Sequence, residues 1–132
     1  MQFNLERDSN LKLIDTYFDA GVKIDGQAYH SSLILFPDKL IENWPVQSVD
    51  DITAAHIEVI IEAAPEVFLL GTGARQVFPP MRLMESLARA GRSIDVMDTG
   101  AACRTYNVLA SELRQVAVAL IIDDQRSQSD QA

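Results

Sequence analysis

Two apolar runs without polar alternation constrain this chain more than any other feature: residues 67–70 (Val67, Phe68, Leu69, Leu70) and residues 115–122, apolar from Val116 onward. A strand with one face in water alternates apolar and polar side chains, so runs lacking that alternation belong to strands covered on both faces, as in parallel sheets flanked by helices. Residues 93–97 supply a third strand between them. A helix fits each gap. The first should start near Pro80, bury Leu83, Met84, Leu87 and Ala88, and end at Gly91 as a left-handed cap; the second is capped by Asp98 or Thr99 and turns Ala102, Tyr106, Leu109 and Leu113 inward. Strand, helix, strand, helix, strand with short connections implies two right-handed crossovers and a parallel core to the sheet.

Upstream the pattern changes. Residues 13–18 are β-prone, Ala20 and Gly21 can turn the chain, residues 22–24 extend again, and Asp25-Gly26 signals a hairpin before residues 27–30. Residues 32–36 form a further apolar strand stopped by Pro37. Residues 38–51, with Trp44-Pro45, read as an ordered loop or a short edge strand. Thr53 can cap a helix whose Ile57, Ile60, Ile61 and Ala64 share one face and which Pro65 ends. The expected fold class is therefore α/β, three-layered, with a mixed central sheet whose parallel core comes from the βαβαβ run and an N-terminal β-hairpin or meander extending or flanking it. Residues 1–122 are expected to form one domain and the polar residues 123–132 a disordered tail.

Composition excludes several function classes. Nineteen acidic residues against eleven Lys and Arg give a net charge of −8, which repels a phosphate backbone or an anionic bilayer and argues against nucleic-acid partners. The richest basic grouping, Arg75, Arg82, Arg89, Arg92 and Arg104, reads as a solvated face. No apolar run approaches the roughly 20 residues of a membrane span, and Glu6, Arg7 and Asp8 interrupt any signal-like stretch, so membrane insertion is not expected. Cys103 is the only cysteine, so an internal disulfide and a multi-thiol metal site are both impossible; a reducing, cytoplasmic location follows as the expectation.

The strand ends suggest one pocket. In open α/β sheets, ligands bind outside the carboxyl ends of parallel strands. There Gly71, Thr72, Gly73 and Arg75 would face Asp98, Thr99 and the following helix, including Thr105, Tyr106 and Asn107. Glycines allow backbone N–H groups to approach an anion, Arg75 can pair with a carboxylate or phosphate, and the helix dipole adds to both. The same glycines equally suit a sharp strand exit, and Thr99 a plain helix cap. A dinucleotide fingerprint fails because Gln76 holds the third glycine position and no helix begins until after Pro79. Cys103, early in a helix beside Arg104, could be a reactive thiol or a small buried hydrophobe. His30 and His56 have no partners at ligand-like spacing, and no Gly-x-Ser-x-Gly elbow exists. No metal or cofactor is called for.

Residues 67–73, residues 96–109 with the block Thr99, Ala102, Thr105, Tyr106 and Asn107, and residues 111–116 resemble the Mth-type domain family, a domain of unknown function. Its members include the mitochondrial complex I assembly factor and the adipogenesis-associated Mth-domain protein. The resemblance, spanning residues 11–122, implies a three-layer fold with a mixed sheet, no established enzymatic activity, and protein partners in complex assembly. Without a mitochondrial presequence, the chain looks like a proteobacterial-type stand-alone member. Two functions follow as expectations: a non-catalytic binding or assembly-assisting module, or a small-molecule or anion-binding protein or small enzyme using the rim above.

Overall fold

The computed structural model describes residues 11–122. The tail expected at residues 123–132 lies outside the described residues.

Eight strands and three α-helices follow one another as β1 (Ile14–Phe18), β2 (Gly21–Ile24), β3 (Gln27–Tyr29), β4 (Leu33–Phe36), β5 (Lys39–Ile41), α1 (Ala54–Ala63), β6 (Val67–Gly71), α2 (Met81–Arg89), β7 (Asp95–Met97), α3 (Thr99–Ser111) and β8 (Val116–Leu120). They build two sheets, ordered β1-β2-β3 and β5-β4-β8-β6-β7. The chain therefore does both things expected of its N-terminal strands. β4 extends the main sheet antiparallel to β8, β5 pairs antiparallel with β4 at the sheet edge, and β1 to β3 form a separate antiparallel meander. β8, β6 and β7 are parallel.

Residue-by-residue alternation explains why the central strands look uniformly apolar. Along β8, Ala117, Ala119 and Ile121 enter one core, while Val116, Val118, Leu120 and Ile122 enter the other. β4 divides likewise, with Ile34 and Phe36 on one side and Leu33 and Leu35 on the other. Both faces are dry, so neither needs polar residues. The first core is closed by Ile57 and Ile60 of α1, by Leu83 and Leu87 of α2, and by Trp44, whose indole N–H donates to the His56 carbonyl at 2.9 Å. The second is closed by α3 beside the small sheet, through Ala102, Cys103, Tyr106 and Ala110 together with Ile14, Val22 and Ile24.

The two crossovers place α2 and α3 on opposite faces. From β6 the chain steps through α2 to β7, its neighbour on one side; from β7 it steps back through α3, past β6, to β8. A crossover of constant hand that reverses direction must carry its helix over the other face.

Element ends follow local chemistry. Asp25 and Gly26 both sit at positive φ (51° and 82°), the geometry of a two-residue hairpin turn. α2 closes at Gly91 (φ 73°), with Arg92 N–H bonded to the Leu87 carbonyl and Gly91 N–H to that of Ala88. α3 closes the same way without a glycine. Glu112 is its cap and Leu113 takes φ 64°, which corrects the expectation that Leu113 points inward: it lies past the helix and is 52% exposed. Ala64 likewise is not on the buried face of α1 but is its left-handed C-cap (φ 50°), and Ala88 is exposed.

Ala64 yields a prediction. An L-residue in the left-handed region costs about 1–2 kcal/mol, partly offset by glycine's larger unfolded-state entropy, and this exposed methyl contributes no core packing. Ala64→Gly should therefore raise stability by about 0.5–1 kcal/mol, read as a higher urea midpoint with unchanged m-value.

Candidate functional site

The carboxyl ends of β6 and β7 meet, as the strand pattern suggests, on one edge of the main sheet, where the helices leaving them diverge to opposite faces. This is the position at which α/β folds of this kind open a ligand crevice. Here Thr99 stands between the strand ends. The Thr99 hydroxyl accepts from Gly73 N–H at 2.8 Å and donates to the Ile121 carbonyl at 2.9 Å, and Thr99 N–H donates to the Gly73 carbonyl at 2.8 Å. Thr99 is 1% exposed. Gly71 makes room for it, since a Cβ there would lie 2.9 Å from Thr99 Cα and 3.0 Å from Leu120 Cδ2. Gly73, at φ 105°, turns the chain through a conformation that side-chain-bearing residues avoid.

Asp98 caps α3, its carboxylate accepting from Ala101 N–H at 2.8 Å. Thr72 knots the following loop, its hydroxyl donating to the Arg75 carbonyl and accepting from Val77 N–H at 3.1 Å. Gly71, Thr72, Gly73, Asp98 and Thr99 are thus brought together, with the Thr72, Asp98 and Thr99 side chains bonded to backbone groups.

Thr105, Tyr106 and Asn107 do not join that rim. They lie in the second and third turns of α3, and the last two face the small sheet: Tyr106 donates to the Lys12 carbonyl at 2.7 Å, and the Asn107 amide both accepts from Ile14 N–H at 2.9 Å and donates to the Ile14 carbonyl at 2.8 Å. A carboxamide carries the same donor and acceptor pair as a peptide unit, so Asn107 acts as one residue of partner strand for the edge of β1. Burial pushes the Tyr106 phenol well above its ordinary value, with weaker pushes from Asp38 and Asp25.

Arg75 remains exposed and lines an open depression of about 350 Å³ with Thr72, Gly73, Ala74, Val77 and Ile121 on one side and Gln47, Ser48, Val49 and Asp50 on the other. The second wall has little mark in the sequence. Its one local signal is the spacing Ser48-x-x-Asp51, a capping pattern in which the Asp51 carboxylate accepts from Ser48 N–H at 3.2 Å, around the single 3₁₀ turn Val49–Asp51. A larger groove of about 400 Å³ lies at the other end of the strands, between Leu11, Phe36, Pro37, Lys39, Leu113 and Arg114.

Cys103 is 4% exposed in the second core, and burial pushes its thiol up to about 12, with Asp98 adding to the rise and Arg104 opposing it. His56 accepts from Thr53 N–H at 3.0 Å through Nδ1, and His30 contacts the Ala20 carbonyl at 3.1 Å. Among the described residues no three His, Cys, Asp or Glu side chains converge, and no helix is long and apolar enough to cross a membrane.

Against known proteins, the sequence pattern of the family described as "Protein of unknown function (DUF498/DUF598)" matches residues 14–121, that is, nearly every described element. The chain belongs to that family. It is 35% identical over 94 residues to the "13 kDa major membrane protein" of Francisella tularensis subsp. holarctica (strain LVS), covering 70% of this chain and 76% of that one. It is 34% identical over 111 residues to "NADH dehydrogenase [ubiquinone] 1 alpha subcomplex assembly factor 3" of Danio rerio, covering 83% of this chain and 63% of that protein. The chain thus spans less than two thirds of the length of that assembly factor. The NMR structure of a Bordetella pertussis protein described as a Mth938-like domain superposes with a TM-score of 0.75 at 28% identity, covering 91% of this chain and 92% of that one. The Mth-type resemblance and the mixed α/β architecture are thereby established.

Two outcomes follow from the site. Thr99→Val keeps the shape but orphans a buried N–H and a buried carbonyl, at about 1–3 kcal/mol each, so chemical denaturation should show a loss of about 2–4 kcal/mol that Thr99→Ser largely restores. Because the thiolate is the reacting species and a raised pKa depletes it, Cys103 in the native chain at pH 8 should react with an aromatic disulfide at least about a hundredfold more slowly than an unfolded control. Equal rates would mean the thiol is open.

Proposed function

We propose that this chain is a non-catalytic binding module that assists the assembly of a larger protein complex, of the respiratory complex I kind. The observation that carries the reading is the kinship with assembly factor 3, which extends across most of the described fold. Two features of the site support it. Thr99 and Gly71 close the crevice where a small substrate would sit, and the burial of Cys103 withdraws the one candidate nucleophile from solvent. The partners in this reading are proteins, not nucleic acid.

The working location is the cytoplasm, on the strength of the lone cysteine. Because the Francisella relative is named a membrane protein, cell fractionation belongs beside the functional test.

Deleting the gene in its source cell should reduce fully assembled complex I on native gels, with partial assemblies accumulating, and re-expression of the chain should reverse both. Normal assembly in the deletion strain would end the proposal.

A second reading has its own support. Arg75 lines a depression of about 350 Å³, where its guanidinium can pair with a small anion. Phosphate or a nucleotide bound there at a hundred times its Kd would add about 2.7 kcal/mol to the folded state, visible as a thermal shift that Arg75→Ala removes. A shift unaffected by that substitution would place the ligand elsewhere.

A further inference from the structure

The loop from residue 74 to residue 80 is pinned to the protein by polar bonds yet carries apolar side chains on its outside. Gln76 donates through Nε2 to the Val96 carbonyl at 2.9 Å, and the Thr72 hydroxyl, just before the loop, accepts from Val77 N–H. Its apolar side chains turn out. Val77, Phe78 and, at the start of α2, Met81 are 47%, 68% and 71% exposed, while Pro79 is buried as the anchor between them. Side-chain bonds to Thr72 and Gln76 and two consecutive prolines hold this arrangement in advance, so a partner would meet it with little further ordering cost.

Charge sets the kind of partner. Arg75 and Arg82 bracket the apolar face, and neither forms an ion pair among the described residues, although the chain carries a net charge of −8. The nearest acid on α2, Glu85, is turned to Arg89 at 3.9 Å. The first turn of α2 has no acidic side chain and no side-chain cap, so its dipole adds to the same sign. We propose that Val77, Phe78 and Met81, with Arg75 and Arg82, form the docking surface for an acidic protein segment with apolar anchoring side chains. This rests on the assembly reading and names its surface.

Two other occupants fit less well. A second copy meeting this face across a twofold axis would set arginines against arginines. An anionic bilayer would gain only about 1 kcal/mol from each unpaired arginine, would be repelled by the rest of the chain, and is too flat to fill the depression that Arg75 and Val77 also line. A protein side chain can enter that depression as an anchor, with Asp50 on its wall setting where an acid must not go.

The test uses the full chain in its source cell, with a photo-crosslinking phenylalanine analogue at position 78 and, as a control, at exposed Val108. The surface is supported if position 78, and not 108, crosslinks to the protein that co-purifies with the wild-type chain, through a segment of net negative charge. Joint Arg75→Glu and Arg82→Glu should then lower the yield by about tenfold, while thermal melting of the variant stays unchanged. A lipid adduct, an adduct to a second copy, a basic captured segment, or a yield indifferent to charge reversal overturns the surface. Joint Phe78→Ser and Met81→Ser separates the two levels: a partner still retained by this variant overturns the surface alone, whereas a wild-type chain that holds no partner overturns the assembly reading with it.

Discussion

The fold hinges on one hydroxyl. Thr99 sits where β6, β8 and α3 converge, and its oxygen joins the backbone leaving β6 at Gly73 to the backbone leaving β8 at Ile121. Both groups lie at strand ends, past the last ladder bond, in a region water does not reach, where an unpartnered peptide group is costly. The approach is possible because Gly71 has no side chain. One contact thus joins two strands and a helix.

A second polar device attaches the small sheet. β1 is an edge strand with a register irregularity between Ile14 and Thr16, and an unpaired edge invites foreign strands. Asn107 satisfies the Ile14 N–H and carbonyl together, and Tyr106 takes the Lys12 carbonyl. The family-like block Thr99, Ala102, Thr105, Tyr106 and Asn107 thus includes one residue that welds the central sheet and two that dock the N-terminal one. The structural work of Thr99, Tyr106 and Asn107 is backbone pairing, which leaves the chain's outer surface as the place to seek a partner.

That surface has an unusual feature at the end of β6: residues 74–80 keep Val77 and Phe78 exposed although the loop is bonded to the protein through Gln76 and the Thr72 hydroxyl. The proposed assembly role needs an exposed apolar face that does not collapse onto its own core, and a loop pinned by Thr72, Gln76 and Pro79 offers one.

Periodicity and punctuation by themselves determined the element order, the parallel core, the helix ends at Pro65 and Gly91, and the meeting of the glycine loop with the Asp98–Thr99 turn, because these depend on interactions within a few residues or on which faces are dry. Leu113 and Ala64 escaped that logic: each extends an apolar stripe by spacing, yet each lies where the helix has already closed in a left-handed residue that is not glycine. Only the tertiary structure decided that Asn107 faces an edge strand 93 residues away, that Arg75 shares a depression with Gln47 to Asp50, and that the Thr99 hydroxyl bridges Gly73 and Ile121. Such outcomes turn on distances of a few tenths of an ångström between segments remote in the chain, and the order of residue types does not encode those distances locally.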